Sequence, residues 1–321
     1  MTPNIPAFTV TFDDIQQAAE RIAAYIHRTP VMTCSAINTM TGADVFFKCE
    51  NLQKVGAFKI RGATNAVFSL PEEKIACGVT THSSGNHAAA LAQAARWRGI
   101  DATVVMPDNA PTPKKKAVAG YGAKIIFCEP TLKARQDTLA DVVKETQAEF
   151  IHPYNDTRVI AGQGTAALEL LEQVDDLNAV IAPVGGGGLL SGTALSVKAI
   201  SDSTKVYGAE PENVDDAHQS LASGRIMPAT EKKSIADGLL TCLGELTFSV
   251  IQKHVTGIMT VSEDDIIKAM RLIWERMKLI VEPSSAVALA VLLKNPGEFS
   301  GKRVGIIISG GNVDLDKLPW M

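Results

Sequence analysis

The sequence predicts an α/β protein of two lobes, each a largely parallel sheet flanked by helices. Three observations carry this. Strand-like and helix-like segments take turns along most of the chain, the alternation that builds a parallel sheet with helices on both faces. Glycine-containing turns follow strand-like segments at 84–86, 185–188 and 309–311, where open α/β sheets bind ligands. The 321 residues are also more than one core comfortably fills.

Taken in order, the first helix is expected near Asp13, with apolar residues at helical spacing in IQQAAERIAAYI. ADVFFKCE and GVTTHS read as strands, and NHAAALAQAARWRG as a helix closed by Gly99. ATVVMP is a strand, PKKKAVAGYG a short helix, AKIIFCE a strand and LKARQDTLADVVKETQ a helix. After EFIHPY come helix AGQGTAALELLEQV, strand AVIAPV, helix LLSGTALSVKAI, strand KVYGAE and, much later, strand RVGIIIS. No repeat, low-complexity tract or Pro/Gly/Ser-rich linker separates the lobes, so they must share the chain intimately.

Composition narrows the functional classes. A hydrophobic share of 46%, 21% charged residues and a net charge of −4 describe an ordinary globular chain without the basic surface that nucleic acid or anionic membrane would need. MTPNIPAFTVTFDDIQQAAERI lacks a basic start followed by an apolar run, and SSAVALAVLL is too short to cross a bilayer, so a cytoplasmic location is expected. The cysteines at 34, 49, 77, 128 and 242 form no C-x-x-C pair, and the six histidines are scattered. Reduced thiols and no zinc site follow.

The chemistry sits in the turns. NAVIAPVGGGGLLSG is a strand, four glycines and a helix start: converging backbone N–H groups and a helix dipole there favour a phosphate. A tight turn alone needs one or two glycines, not four. Glu210 follows Gly188 at about the spacing of the acidic residue in dinucleotide folds, which keeps a nicotinamide-dependent oxidoreductase open as an alternative. Yet G-x-G-x-x-G fails in each register, and no P-loop or Gly-x-Ser-x-Gly elbow is present. THSSGNH gathers Ser83, Ser84, Asn86 and His87 at a helix start, suited either to a substrate carboxylate or to simple N-capping. In VGAFKIRGA a lysine, Lys59, lies among apolar residues and glycine.

Together, GAFKIRGA, SSGNH, the tetraglycine turn and SGGN resemble the fold-type II pyridoxal phosphate enzymes, a tryptophan synthase β-like fold, and more narrowly the serine racemase and serine/threonine dehydratase (ammonia-lyase) family. VIAGQGTAALE, IADG, WERMKLIVEPS and IIISGGNVDL extend the resemblance over nearly the whole chain. It implies a large cofactor-binding domain at 1–76 and 153–321, a small mobile domain at 77–152, and a homodimer. Lys59 is then the cofactor-linking lysine and later the base at Cα. Asn86 bonds the ring hydroxyl, Gly185, Gly186, Gly187, Gly188 and Leu189 hold the phosphate, and Ser309 faces the ring nitrogen. Apolar surroundings and a positive phosphate cradle would lower the lysine's pKa.

The resemblance also implies α,β-elimination of water from L-serine or L-threonine, giving a keto acid and ammonia, with Ser84 as the acid/base group on the opposite face for serine racemisation. Ser83, Ser84 and His87 would receive the substrate. Arg135 matches a position that approaches the substrate, where a second carboxylate would admit 3-hydroxyaspartate. Glu210, Asp216 and the Val214 carbonyl correspond to a divalent-cation site for magnesium, calcium or manganese. A non-catalytic amino-acid-binding relative remains a further alternative.

The chain departs from the mammalian members at Tyr154, where they carry asparagine and the dehydratases tyrosine. Ser35, Lys54, Tyr121, Lys278 and Asn312 match the family's nucleotide site, but Val55 and Ala89 replace a threonine and a glutamine, which argues against activation by ATP. The chain ends within ten residues of SGGN, so no C-terminal regulatory domain is expected.

Overall fold

The computed structural model describes residues 10–230 and 232–321, without the side chains of residues 113 and 132. The first nine residues of the N-terminal stretch discussed above therefore lie outside the described part.

Ten strands are present among the described residues: β1 (Val31–Met32), β2 (Asp44–Cys49), β3 (Val79–His82), β4 (Ala102–Pro107), β5 (Lys124–Cys128), β6 (Glu149–Phe150), β7 (Ala179–Pro183), β8 (Lys205–Pro211), β9 (Gly257–Val261) and β10 (Arg303–Ile308). They form a six-stranded sheet, β1-β2-β10-β7-β8-β9, and a four-stranded one, β5-β4-β3-β6. All pairings are parallel save that of β1 with β2. This is the α/β, two-sheet architecture that the alternation implied. The smaller sheet draws all its strands from between Val79 and Phe150.

The helices that matter for the site are α1 (Phe12–Ile22), α2 (Lys59–Phe68), α3 (Asn86–Arg98), α4 (Thr112–Gly120), α5 (Leu132–Thr146), α6 (Thr157–Gln173), α7 (Gly188–Ile200), α8 (Asp216–Ser223) and α9 (Pro283–Lys294). A capping box opens α1: Asp14 N–H donates to Thr11 Oγ1 at 3.3 Å, and Thr11 N–H to the Asp14 carboxylate at 2.8 Å. The sequence pattern begins α6 at Ala161, but the helix starts four residues earlier, because the Asp156 carboxylate accepts from the amides of Arg158 and Val159. The pattern predicts neither strand β9 nor helix α9. Nearly every position of α9 is buried, so it shows no amphipathic stripe. It packs on the large sheet in a core that includes Val45, Phe47, Ile181, Val287, Leu289 and Ile306.

Helix α6 is the hub. It crosses α2 so closely that a Cβ on Gly162 would stand 2.6 Å from the Gly62 Cα, and it crosses α7 so that a Cβ on Gly192 would stand 2.4 Å from the Gly164 nitrogen. Backbone thus rests on backbone at both crossings, a contact only glycine permits.

Candidate active site

Strand β10 lies between β2 and β7, with Ile306 opposite both Phe47 and Ile181. The carboxyl ends of these strands are therefore level, and Ser309 and the 185–188 turn leave the sheet on the same edge. Phe58 N–H donates to the Ser309 carbonyl at 2.9 Å, and Ala57 bridges to Gly310. These bonds deliver Lys59, the first residue of α2, to the end of β10.

Lys59 Nζ donates to the Pro153 carbonyl at 2.8 Å. Desolvation draws its pKa down to about 8, against the opposing field of Glu282. The neutral amine is thus more available near neutral pH than that of an ordinary lysine.

Among the described residues, none of the amide N–H groups from Gly185 to Leu189 has an acceptor within the chain, as expected where a helix begins. The turn is also closely packed. Gly187 has φ +88°, and a Cβ at Gly186 would fall 2.3 Å from the Tyr154 ring. Thr247 Oγ1 donates to the Gly186 carbonyl at 2.8 Å, which keeps that oxygen occupied. A glycine cradle presenting free amides at the start of α7 fits a phosphate group. Tyr154 is pushed up to about 12 by burial and then by the field of Cys242, with Thr241 working against them.

Ser309 Oγ lies 2.9 Å from Ser285 Oγ, which also accepts from Gly310 N–H at 2.6 Å. Asn86 Nδ2 donates to the Glu282 carboxylate, and Asn86 Oδ1 accepts from Asn312 Nδ2 at 2.9 Å. Burial pushes Glu282 up to about 7, with the Asn86 hydrogen bond working against it. Neither Glu282 nor Ser285 stands out in the sequence. Their one legible sign is an acid and two serines, VEPSS, leading into an apolar run.

On the small-sheet side, Gly85 precedes α3 and no side chain caps the helix. N-capping is therefore not what Ser83, Ser84 and Asn86 do. His87 Nε2 lies 3.2 Å from the Ile151 carbonyl while its Nδ1 is buried without a partner, and burial, then the charge of Lys59, holds the ring well below the usual range. The structure also gathers histidines that looked scattered. His82 stacks on Phe150 at 5.7 Å, and His152 meets Tyr154 edge-on at 4.6 Å. His152 is lowered to about 4 by burial and then by His82, and His82 is lowered by burial and then by Arg135. Arg135 thus stands within electrostatic reach of the residue that precedes Ser83.

At the end of β8 the Glu210 carboxylate accepts from Ala217 N–H at 2.9 Å and His218 N–H at 2.8 Å. It is engaged with the start of α8, not with the 185–188 turn as a dinucleotide fold would need. Both carboxylate oxygens of Asp216 are buried without a partner. Burial raises Glu210 to about 8 and Asp216 to about 6. Among the described residues no group of three or more His, Cys, Asp or Glu side chains could hold a metal, so a cation here would rely on these two carboxylates, the Val214 carbonyl and water. The orphaned Asp216 oxygens fit such an oxygen-seeking ion.

The remaining nucleotide-site matches each have local partners, and Asn312 Nδ2 bonds the Val55 carbonyl beside Lys54 at 2.8 Å. Lys54 lies 5.2 Å over the Trp97 ring, Lys278 Nζ donates to the Glu275 carbonyl at 2.6 Å, Tyr121 packs against the small-sheet core, and the Ser35 carbonyl accepts from Thr39. Of this set, Asn312 bonds directly to a residue of the site, Asn86.

The comparisons agree with this geometry. A beta-hydroxyaspartate dehydratase of Paracoccus denitrificans is 54% identical over 310 residues, 97% of this chain and 98% of that protein. The crystal structure of serine racemase from Dictyostelium discoideum superposes with a TM-score of 0.92 at 51% identity, covering 96% of this chain and all of that one. The crystal structure of a threonine deaminase from T.th. gives 0.91 at 43%, covering 95% and 99%. The model of the pyridoxal-phosphate dependent enzymes matches residues 22–310, which removes the nicotinamide alternative: the chain belongs to the pyridoxal-phosphate dependent enzyme family.

Proposed function

We propose that the chain eliminates water from L-serine and L-threonine, releasing pyruvate or 2-oxobutyrate and ammonia, and racemises serine at the same site. The observation that supports this is the tie of Lys59 to two neighbours: the preceding amide bonds the Ser309 carbonyl, and its own amine bonds Pro153, next to Tyr154, which packs on Gly186 in the row of free amides at 185–189. Pyridoxal phosphate, when bound, supplies the electron sink that lets a Cα proton leave. The Gly185–Leu189 amides would hold its phosphate, and Ser309 and Asn86 would bind its ring.

The protein's own groups then divide the work. Lys59, with its pKa drawn down to about 8, takes the Cα proton on one face. Ser84 holds or returns a proton on the other, and the Ser83 hydroxyl and the His87 backbone amide receive the substrate carboxylate, because the neutral His87 ring gives its one N–H to Ile151. Ser309 is neutral, so a negative charge at Cα is stabilised less than an aspartate partner would allow, which favours prompt loss of the β-hydroxyl. The Glu210, Asp216 and Val214 oxygens hold a divalent cation, magnesium, calcium or manganese.

A second reading is favoured by Arg135. Its charge reaches His82, next to Ser83, and would pair with a second substrate carboxylate, so 3-hydroxyaspartate belongs in the substrate range. We further assign residues 77–152 to a small mobile domain and residues 1–76 and 153–321 to the cofactor-binding domain, and expect a cytoplasmic homodimer. No helix among the described residues is long and apolar enough to cross a membrane. The test is a panel of L-serine, L-threonine and 3-hydroxyaspartate with paired detection of keto acid and D-serine, with and without magnesium and ATP. Keto acid from none of the three would overturn the elimination reading, and neither keto acid nor D-serine, with the cofactor retained, would point to a non-catalytic binding protein.

A further inference from the structure

Arg61 is among the largest fully buried side chains, and none of the roles above uses it. Its guanidinium forks onto two carboxylates. Nε and Nη2 donate to Glu50 at 2.7 and 2.8 Å, while Nη1 and Nη2 donate to Glu169 at 2.8 Å each. Lys48 completes the cluster, donating to Glu169 at 2.6 Å, to the Thr29 carbonyl at 2.7 Å and to Gln173 at 2.8 Å. Two cations and two anions thus neutralise one another where β2, α2 and α6 meet.

Such a cluster is weak evidence for stability, because desolvation offsets most of the attraction and apolar residues of similar volume often hold a fold as well. What apolar residues lack is direction, since a double fork fixes both the rotation and the height of the turn that carries it. That turn is the first of α2. Lys59 and Arg61 are two residues apart, and at about 100° per residue they leave the helix on nearly opposite sides. The helix start has no side-chain cap of its own; instead Gly62 N–H donates to Gln163 Oε1 of α6 at 3.1 Å.

We propose that Arg61 is a positioning residue: anchored to Glu50 and Glu169, it sets the rotation of the first turn of α2 and so aims the Lys59 amine at the cofactor site. This rests on the reading of Lys59 as the cofactor-linking lysine. A reacting group tolerates little displacement, and about 1 Å can cost on the order of 100-fold in rate.

The test compares the native chain with the paired variant Glu50→Leu/Arg61→Met, which removes one anion and one cation and leaves Lys48 and Glu169 to each other. Four quantities are measured: thermal unfolding of the cofactor-free chain, the rate at which added pyridoxal phosphate becomes borohydride-trapped on the Lys59 peptide, and kcat and KM for L-serine. The expected result is unfolding and KM close to native, with trapping and kcat each slowed by about tenfold or more. A folded variant that traps and turns over within about twofold of the native chain overturns the proposal. Should the pair not fold, Arg61→Lys takes its place, keeping the charge but losing the fork; the same slowing is expected, and native rates there overturn the proposal equally. A native chain that traps no cofactor at Lys59 overturns the underlying reading as well, and shows it before any variant is made.

Discussion

Asn86 and Glu282 face each other between the two sheets: the Asn86 amide donates to both Glu282 carboxylate oxygens, at 3.0 and 3.2 Å. Asn86 opens α3 beside the small sheet, and Glu282 immediately precedes α9 on the large one. A neutral amide compensates a buried negative charge poorly, so Glu282 is held up to about 7, chiefly by burial.

That gives a pH dependence with a definite sign. Between the ordinary carboxyl value of 4.5 and about 7, the folded chain binds a proton that the unfolded chain has lost, so stability falls as pH rises through this window. Urea unfolding of the cofactor-free chain at pH 5 and pH 7.5 is expected to show a larger loss in the native protein than in Glu282→Gln. Equal losses would show that Glu282 ionises normally.

Lys59 should govern cofactor capture. Its amine becomes free as pH rises through about 8, so borohydride trapping of pyridoxal phosphate is expected to speed up by roughly tenfold between pH 7 and pH 9. Lys59→Ala should trap nothing at this position and lose both elimination and racemisation, as peptide mass and product assays would show.

Ser84→Ala should separate the two reactions. Removing the hydroxyl on the far face is expected to suppress formation of D-serine by about 100-fold while L-serine elimination falls much less. Parallel loss of keto acid and D-serine would sink the two-face assignment.

Asp216 carries the cation test. Both of its oxygens are buried and unpartnered, so added magnesium, calcium or manganese should raise the melting temperature of the native protein. Asp216→Ala should abolish that increment while itself being folded, since it removes an uncompensated charge. An increment of the same size in the variant would place the ion elsewhere.

The fold and the family are largely legible in the sequence, because Lys59 and the tetraglycine turn are local signals in which the residue types themselves suggest the chemistry. Ser309 is weak alone and becomes meaningful only in combination with them. Apolar periodicity misplaces the helix start at Thr157 because a single Asp156 cap outranks it, and it misses α9 because a helix buried all round has no periodicity to show. Glu282, Ser285, His82 and His152 are invisible for a different reason. Their significance comes from tertiary packing, which brings together residues as far apart as Asn86 and Glu282, 196 positions along the chain and beside different sheets, and a lone acid or histidine carries no record of its partner.

The glycine-on-glycine crossings of α6 bear on how this scaffold can diversify. Lys59 begins one helix resting on α6 and the tetraglycine turn begins another, so the span between them is fixed by main chain, like the jaws of a gauge set to one length. Side-chain drift cannot widen it, and any bulk at Gly162 or Gly192 would spring it. New substrates must therefore be accommodated by changes in the side chains around the gauge, among which Ser83, Ser84 and Arg135 belong neither to the Lys59 helix nor to α6.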